Sequence, residues 1–515
     1  VGTLLAIYCL GRIVFPGRPG IALGMVALVA FIPQFLFLSA SINNDNLVIL
    51  VSSWVLVLLV AWIRSEQLPG WPSILALGTL LGLGVLAKLS GLLLWPLAAG
   101  TLLWLAWRPA AQDTNLRPGL RWLVLAGLLV FGVALLICGW WWVRNQQLYG
   151  DLSGLTAHLQ IMGTRRRLPS RPQAILAEFK GFRYSFWALF GWFNILVPEP
   201  FYWIMDGLAV LGLAGFALFL ARSLRHLPHW TRAAIVILVA WSVLVAVGVL
   251  RWTTLTPASQ GRLLYPALGA IALFLVTGWV EWVPRRFSLP VGIAALLVWG
   301  ACAVLCATHV IVPAYALPER VGSLDKLVSA PSELHVQYGD CCELVGYVSP
   351  GEPVHPGERV PLGLVWRALQ TVGEDYSLFV HALTADGQLV GQLDTYHGGG
   401  MYPTSQWRAG EIIDDVAYVP ISFKAEGPAL VHFRVGLHEG TGPARLPAFA
   451  ADGQEVDVVF AGEAALVPHQ WPQSAAHVES DALFAQQIRL AGIEVAQEGA
   501  RPGESVTVTL QWEAM

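Results

Sequence analysis

Apolar residues gather in the first 315 positions into ten long runs, near 1–11, 21–41, 46–63, 71–87, 91–107, 122–142, 200–221, 232–250, 263–280 and 289–312. A hydrocarbon core about 30 Å thick takes roughly 20 apolar residues as helix. The pattern therefore predicts ten membrane passes, the first of them short. One further run, SFWALFGWFNILV at 185–197, is short and aromatic, and it reads as an interfacial segment of a loop. After Tyr315 the period changes to two. Segments such as YSLFVHAL (376–383) and ALVHFRVGL (429–437) are separated by turns, among them the ADG triplets at 385–387 and 451–453. Strands of this length and spacing predict an antiparallel β-sandwich. The expected fold class is a polytopic α-helical membrane domain over 1–315, a linker over 316–339, an all-β sandwich over 340–480 and the start of a second one over 481–515.

That second start is an internal repeat. LVGYVSPGEPVHPGERVPLGLVWRA from Leu344 returns as LAGIEVAQEGARPGESVTVTLQWEA from Leu490, ungapped, with Leu344/Leu490, Gly346/Gly492, Pro356/Pro502, Gly357/Gly503, Leu364/Leu510 and Trp366/Trp512 in register. The unit reads as strand, Pro-Gly turn, then a strand ending in a buried Trp. The second copy reaches Met515 early, so an unfinished second sandwich is expected.

Composition agrees with the hydropathy pattern. Hydrophobic residues make up 56% of the chain, charged residues only 13%, and there are 23 Trp, whereas charged residues approach a quarter of an average soluble protein. The net charge of -3 carries little information because the charges are segregated. Nucleic-acid binding has no support. Basic residues fall in alternate short loops: Arg12 and Arg18, Arg64, Arg108 with Arg117 and Arg121, Arg222 with Arg225 and Arg232, and Arg285 with Arg286. By the positive-inside rule these loops are cytoplasmic. Residues 41–45, 88–90, 143–199, 251–262 and everything after 312 are then expected outside, the β region included. Counting 185–197 as a crossing would reverse the later loops. Arg165, Arg166 and Arg167 break the rule, which suggests an anionic ligand or a solvated corner. The cysteines form no disulfide framework: Cys9, Cys138, Cys302 and Cys306 lie in apolar runs, and Cys341 and Cys342 are adjacent. Val1 is not a start methionine and no signal peptide follows it, so a fragment is expected.

This topology brings a few polar side chains to one edge of the bilayer. Asp45 ends FIPQFLFLSASINND at the start of a membrane helix, where it serves as an N-cap or as a ligand. Lys88 stands between two apolar runs, either snorkelling or anchoring a phosphate. In QGRLLYPALG, Gln260, Gly261, Arg262 and Tyr265 open a helix; an Arg there opposes the helix dipole, and a guanidinium fork on a phosphate would account for it. WWWVRNQQLYGD supplies Arg144, Asn145, Tyr149 and Asp151 at a span edge. Asp206 lies about 9 Å into its span at about 1.5 Å per residue, and adjacent sequence offers it no partner. His381, Asp394 and His397 could be imagined as metal ligands, but their spacing does not support it.

FIPQFLFLSASINND, GLGVLAKLSG, VRNQQLYGD, FGWFNILVPEPFYW and QGRLLYPALG resemble segments of bacterial membrane glycosyltransferases of the GT-C superfamily, the dolichyl-phosphate-mannose protein mannosyltransferase-like and aminoarabinose transferase-like group. The resemblance covers about residues 1–315, and the β region looks like an appendage of some members. It implies inverting transfer of a sugar from a polyprenyl-phosphate donor to a glycan, lipid or protein acceptor at the outer face of the cell membrane. In that family a carboxylate of the first outer loop is the general base and a second acid follows the third span; Asp45 matches the second. The first loop would precede Val1, so the principal base is expected to be missing from this sequence. Lys88 and Arg262 are expected to stabilise the leaving phosphate, with Tyr265, Arg144, Asn145 and Tyr149 lining the substrate site. The sequence leaves a divalent cation open. Two alternatives remain: a transporter of lipid-linked glycans, which predicts inverted repeats not seen here, and a non-catalytic anchor displaying a glycan-binding sandwich.

Overall fold

The computed structural model describes residues 1–65, 67–107, 120–165, 172–191, 193–256, 259–321, 331–439, 444–469, 478–484, 488–495 and 508–514. It forms two compact units, Val1–Ala314 and Tyr315–Met515.

The first unit is helical. Its elements are α1 (Gly2–Val14), α2 (Pro19–Ala30), α3 (Pro33–Ser39), α4 (Asn44–Ser65), α5 (Trp71–Ala87), α6 (Leu94–Trp107), α7 (Leu120–Tyr149), α8 (Leu155–Met162), α9 (Pro172–Trp187), α10 (Glu199–Ser223), α11 (His229–Leu255), α12 (Leu268–Trp282) and α13 (Ser288–Cys306). All ten apolar runs are helical. Among the described residues seven helices have the length and composition to cross a membrane, and α1 and α5 are shorter apolar helices. The run 21–41 is bent: α2 and α3 meet at 69°, the geometry of a broken span or of a re-entrant loop. Pro33 causes the break, because it cannot donate and it holds Ile32 extended at φ -67°, ψ 115°. Of this range, residues 185–187 finish α9, and β1 (Leu189–Phe190) pairs with β2 (Ile195–Leu196) as a small antiparallel hairpin.

With no hydrophobic drive between helices in lipid, close packing needs small residues. A Cβ on Gly278 of α12 would fall 1.8 Å from the Gly212 carbonyl oxygen of α10, so the two backbones touch there. Gly78 and Gly82 of α5 meet the Val130 and Ala134 carbonyls of α7 in the same way.

The second unit is antiparallel β. A six-stranded sheet combines β3 (Glu319–Val321), β4 (Ser332–Tyr338), β5 (Cys342–Val348), β6 (Arg359–Ala368), β9 (Ile412–Pro420) and β11 (Ala448–Phe449). It shares one apolar core with a four-stranded sheet of β7 (Tyr376–Thr384), β8 (Leu389–Thr395), β10 (Ala429–Glu439) and β12 (Val459–Leu466). Strands β3 and β4 fall inside 316–339, the stretch whose composition reads as linker; both pair within the larger sheet. Short strands with mixed polar content leave too faint an alternation to register. Cys341 and Cys342 are buried free thiols.

A third sheet holds β13 (Val478–Phe484), β14 (Ile488–Val495) and β15 (Val508–Ala514). Its pairing repeats that of β4, β5 and β6 residue for residue. Leu344 faces Trp366 as Leu490 faces Trp512, and each pair of strands bulges before Gly346 or Gly492. The match extends upstream of Leu344: Glu333 pairs with Gly346 and Val336 with Leu344, as Glu479 does with Gly492 and Ala482 with Leu490. Trp366 is fully buried, whereas Trp512 is 47% exposed.

Candidate functional site

The corner between α3 and α4 is stitched by asparagines. Asn43 Oδ1 accepts the Asn46 backbone N–H at 3.1 Å, and the Asn46 amide donates to the Leu38 and Ser41 carbonyls, both at 2.9 Å. Asn43 is therefore the side chain that caps α4. Asp45, the second residue of the helix, keeps its carboxylate for another partner. Lys88 Nζ lies 2.5 Å from Asp45 Oδ1, with the side chains 28% and 12% exposed. Lys88 is extended between α5 and the 3-10 turn Leu89–Leu93, where the chain reverses so tightly that a Cβ on Gly91 would sit 2.2 Å from the Gly84 carbonyl. Removing a lysine and a carboxylate from bulk water favours their pairing, and the positive end of α4 adds to it.

Arg262 is the second residue of a 3-10 turn, Gly261–Ala267, that leads into α12 and packs against α4. Its Nε donates to Gln260 Oε1 at 2.8 Å, and its guanidinium lies over the Phe193 ring at 5.2 Å. Among the described residues neither Nη atom has a bonded partner. The fork is held by its stem while its tip stays open. Tyr265 is fully buried and gives its hydroxyl to the Phe186 carbonyl at 2.6 Å. Here it fills the interior and fastens the turn.

The end of α7 is more mixed. Arg144 is exposed over the Trp141 ring at 4.8 Å, and Tyr149 is half exposed. Asn145 is buried; its Nδ2 donates to the Leu152 carbonyl at 3.3 Å, and its Oδ1 has no partner among the described residues. Asp151 takes a local role, accepting the Thr156 and Ser153 backbone N–H groups at 2.9 Å and so starting α8. These donors hold its carboxyl well below the usual range. Arg165 is pinned by Glu178 at 2.5 Å and by the Thr256 carbonyl at 3.2 Å, so at this residue a buried clamp stands in place of both the anionic-ligand and the solvated-corner readings. Arg166 and Arg167 lie outside the described residues.

Asp206 does have partners, and they come from α9. Arg183 Nε is 2.7 Å from Asp206 Oδ2, and Trp187 Nε1 donates to Oδ1 at 2.9 Å. Arg183 also reaches Glu199 at 3.3 Å, Lys180 reaches Glu199 at 2.9 Å, and the Tyr184 hydroxyl bonds the same carboxylate. The sequence signal was the i, i+3, i+4 spacing of Lys180, Arg183 and Tyr184 on one helix face, which an aromatic loop assignment hides.

In the β unit, His381 faces Gln392 while Asp394 faces Phe379 two pairs along. His397 is buried elsewhere, its Nδ1 3.1 Å from Asp415 and its ring edge-on to Trp366 and Trp407. Among the described residues no three His, Cys, Asp or Glu side chains gather into a metal site.

Residues 1–141 match the family model described as dolichyl-phosphate-mannose-protein mannosyltransferase. That segment runs from α1 into α7 and includes Asp45 and Lys88. The match, with the membrane-length helices, supports a multi-pass membrane glycosyltransferase. No curated protein matches the chain. Among solved structures, a Pseudomonas fluorescens alkylpurine DNA glycosylase AlkC bound to DNA containing an abasic site analog aligns over 90% of this chain and 97% of its own at 11% identity, with a TM-score of 0.15, too low to carry an argument.

Proposed function

We propose that the helical unit transfers a sugar from a polyprenyl-phosphate donor to a hydroxyl acceptor at the extracytoplasmic face of the cell membrane. The observation that carries this reading is the Asp45–Lys88 pair at the mouth of α4, on a helix packed against the turn that presents the open Arg262 fork. The acceptor oxygen attacks the anomeric carbon as the bond from that carbon to the phosphate oxygen breaks, and the polyprenyl phosphate leaves with the electron pair. Negative charge grows on the phosphate during this step. Lys88 and Arg262 stabilise it more in the transition state than in the ground state. Lys88 serves as a point charge and Arg262 as a two-pronged donor.

Asp45 accepts from sugar or acceptor hydroxyls and orients them. The acceptor proton passes to a carboxylate general base, the role that the family resemblance implies. Asn145, with a buried oxygen that lacks a partner among the described residues, and the exposed Arg144 and Tyr149 border the acceptor side. The test is a transfer assay. Membranes containing the protein are incubated with a panel of radiolabelled polyprenyl-phosphate sugars, and label on endogenous acceptors is scored for wild type and Asp45→Asn. Label transferred by wild type and lost in the variant supports the reading; equal transfer by both excludes Asp45 from the site.

A further inference from the structure

Helix α9 lies between an acid inside a membrane span and the turn that carries Arg262, and it is bonded to both. On one side Ser185 Oγ accepts the Gly261 N–H at 2.8 Å, and the Phe186 carbonyl accepts the Tyr265 hydroxyl at 2.6 Å. Gly261 approaches so closely that a Cβ would fall 2.2 Å from the Phe182 carbonyl oxygen. One helical turn earlier Glu178 binds Arg165 at 2.5 Å and accepts the Ser259 hydroxyl at 3.1 Å, fixing the chain just before Arg262. On the other side Arg183 and Trp187 both hold Asp206. Arg183, 12% exposed, lies against the rings of Tyr184, Tyr202 and Trp203. An acid within a span is costly and is kept where it has a task. Here its two partners come from α9 and not from its own helix.

We propose that Asp206 and Arg183 are positioning residues: their ion pair latches α9 to α10, and α9 sets where the Arg262 guanidinium points. Neither residue touches substrate. The proposal rests on reading Arg262 as a phosphate contact and extends it to an acid outside that site. Asp206→Asn keeps the size of the side chain and removes its charge, leaving Arg183 to Glu199 at 3.3 Å. The α9 helix then shifts toward Glu199 and takes the 3-10 turn with it.

The experiment is equilibrium binding of undecaprenyl monophosphate, presented in phosphatidylcholine nanodiscs, to the whole chain and its variants. Arg262→Ala should raise Kd at least about fivefold, Asp206→Asn at least about threefold, and the double variant no further than Arg262→Ala alone, since effects that share one route are not additive. Asp206→Glu should restore binding to within about twofold, because the carboxylate still reaches Arg183. A general loss of structure would instead add its cost in the Arg262→Ala background, and that additivity would overturn the latch while leaving Arg262 in place. Wild-type affinity in Asp206→Asn would overturn it as well. Should that variant fail to fold, Arg183→Lys in both backgrounds gives the same comparison. Wild-type affinity in Arg262→Ala would overturn the latch and the phosphate reading together.

Discussion

Lys88 and Asp45 lie 43 residues apart in sequence, and their charged atoms are 2.5 Å apart, tying the end of α5 to the start of α4. Because Asn43 caps the helix, the carboxylate and the cap can be tested separately. Lys88→Ala is expected to lower sugar transfer at least about tenfold, a lower bound on the roughly 100- to 1000-fold that one lost transition-state donor costs. Asn43→Ala should cost about 1 kcal/mol of stability, as N-cap losses do, with transfer within about twofold of wild type. Kinetics and thermal unfolding of both variants check this; equal transfer losses would merge the two roles.

Arg262 offers a second test. Its stem is fixed by Gln260 and Phe193 while its tip is open. Arg262→Ala should reduce turnover at least about tenfold, and Arg262→Lys should restore only part of it, because an ammonium lacks the planar fork. Full recovery by lysine would show that charge alone is needed.

The β unit carries a pH-dependent strain at Asp414. Burial pushes its carboxyl up, and the neighbouring Glu319 and Asp415 carboxylates add to the effect. A folded-state pKa above the unfolded one means that the folded form resists ionisation. Stability therefore falls as pH rises from the unfolded value through the folded one. Asp414→Asn should raise the unfolding temperature of the β unit at neutral pH and change it little below the ordinary Asp value of about 3.9. Equal gains at both pH values would contradict this sign.

The repeat makes a comparative prediction. Trp366 is wholly buried between two sheets, and its counterpart Trp512 is 47% exposed. Trp366→Ala should cost about 3–5 kcal/mol in chemical denaturation of the β unit, and Trp512→Ala less than about 1 kcal/mol.

Much of this was legible in the sequence because bilayers and sheets impose strong periods. Ten apolar runs located ten helical segments, and the ungapped repeat located the two strand–turn–strand units, though not the Leu–Trp pairing across them. The repeat's first strand escaped notice, since SELHVQY and VESDALF share register but little identity. Asp45 and Lys88 could be nominated as polar residues at span edges; their contact could not, because nothing in a linear pattern says which helix ends meet. Tyr265 looked like a ligand from its neighbourhood in QGRLLYPALG, yet its hydroxyl is committed to a carbonyl that only tertiary packing supplies. Asp206 reads as isolated in the sequence because its partners Trp187 and Arg183 lie 19 and 23 residues back, across an aromatic hairpin.

A common phosphate site requires Asp45, Lys88 and Arg262 to share one edge of the bilayer, facing out of the cell. Single-cysteine variants at positions 45, 88 and 262, treated in intact cells with a membrane-impermeant thiol reagent before and after permeabilisation, measure this directly. All three are predicted to react before permeabilisation. Reaction of any one only after it would separate the groups and contradict a common phosphate site.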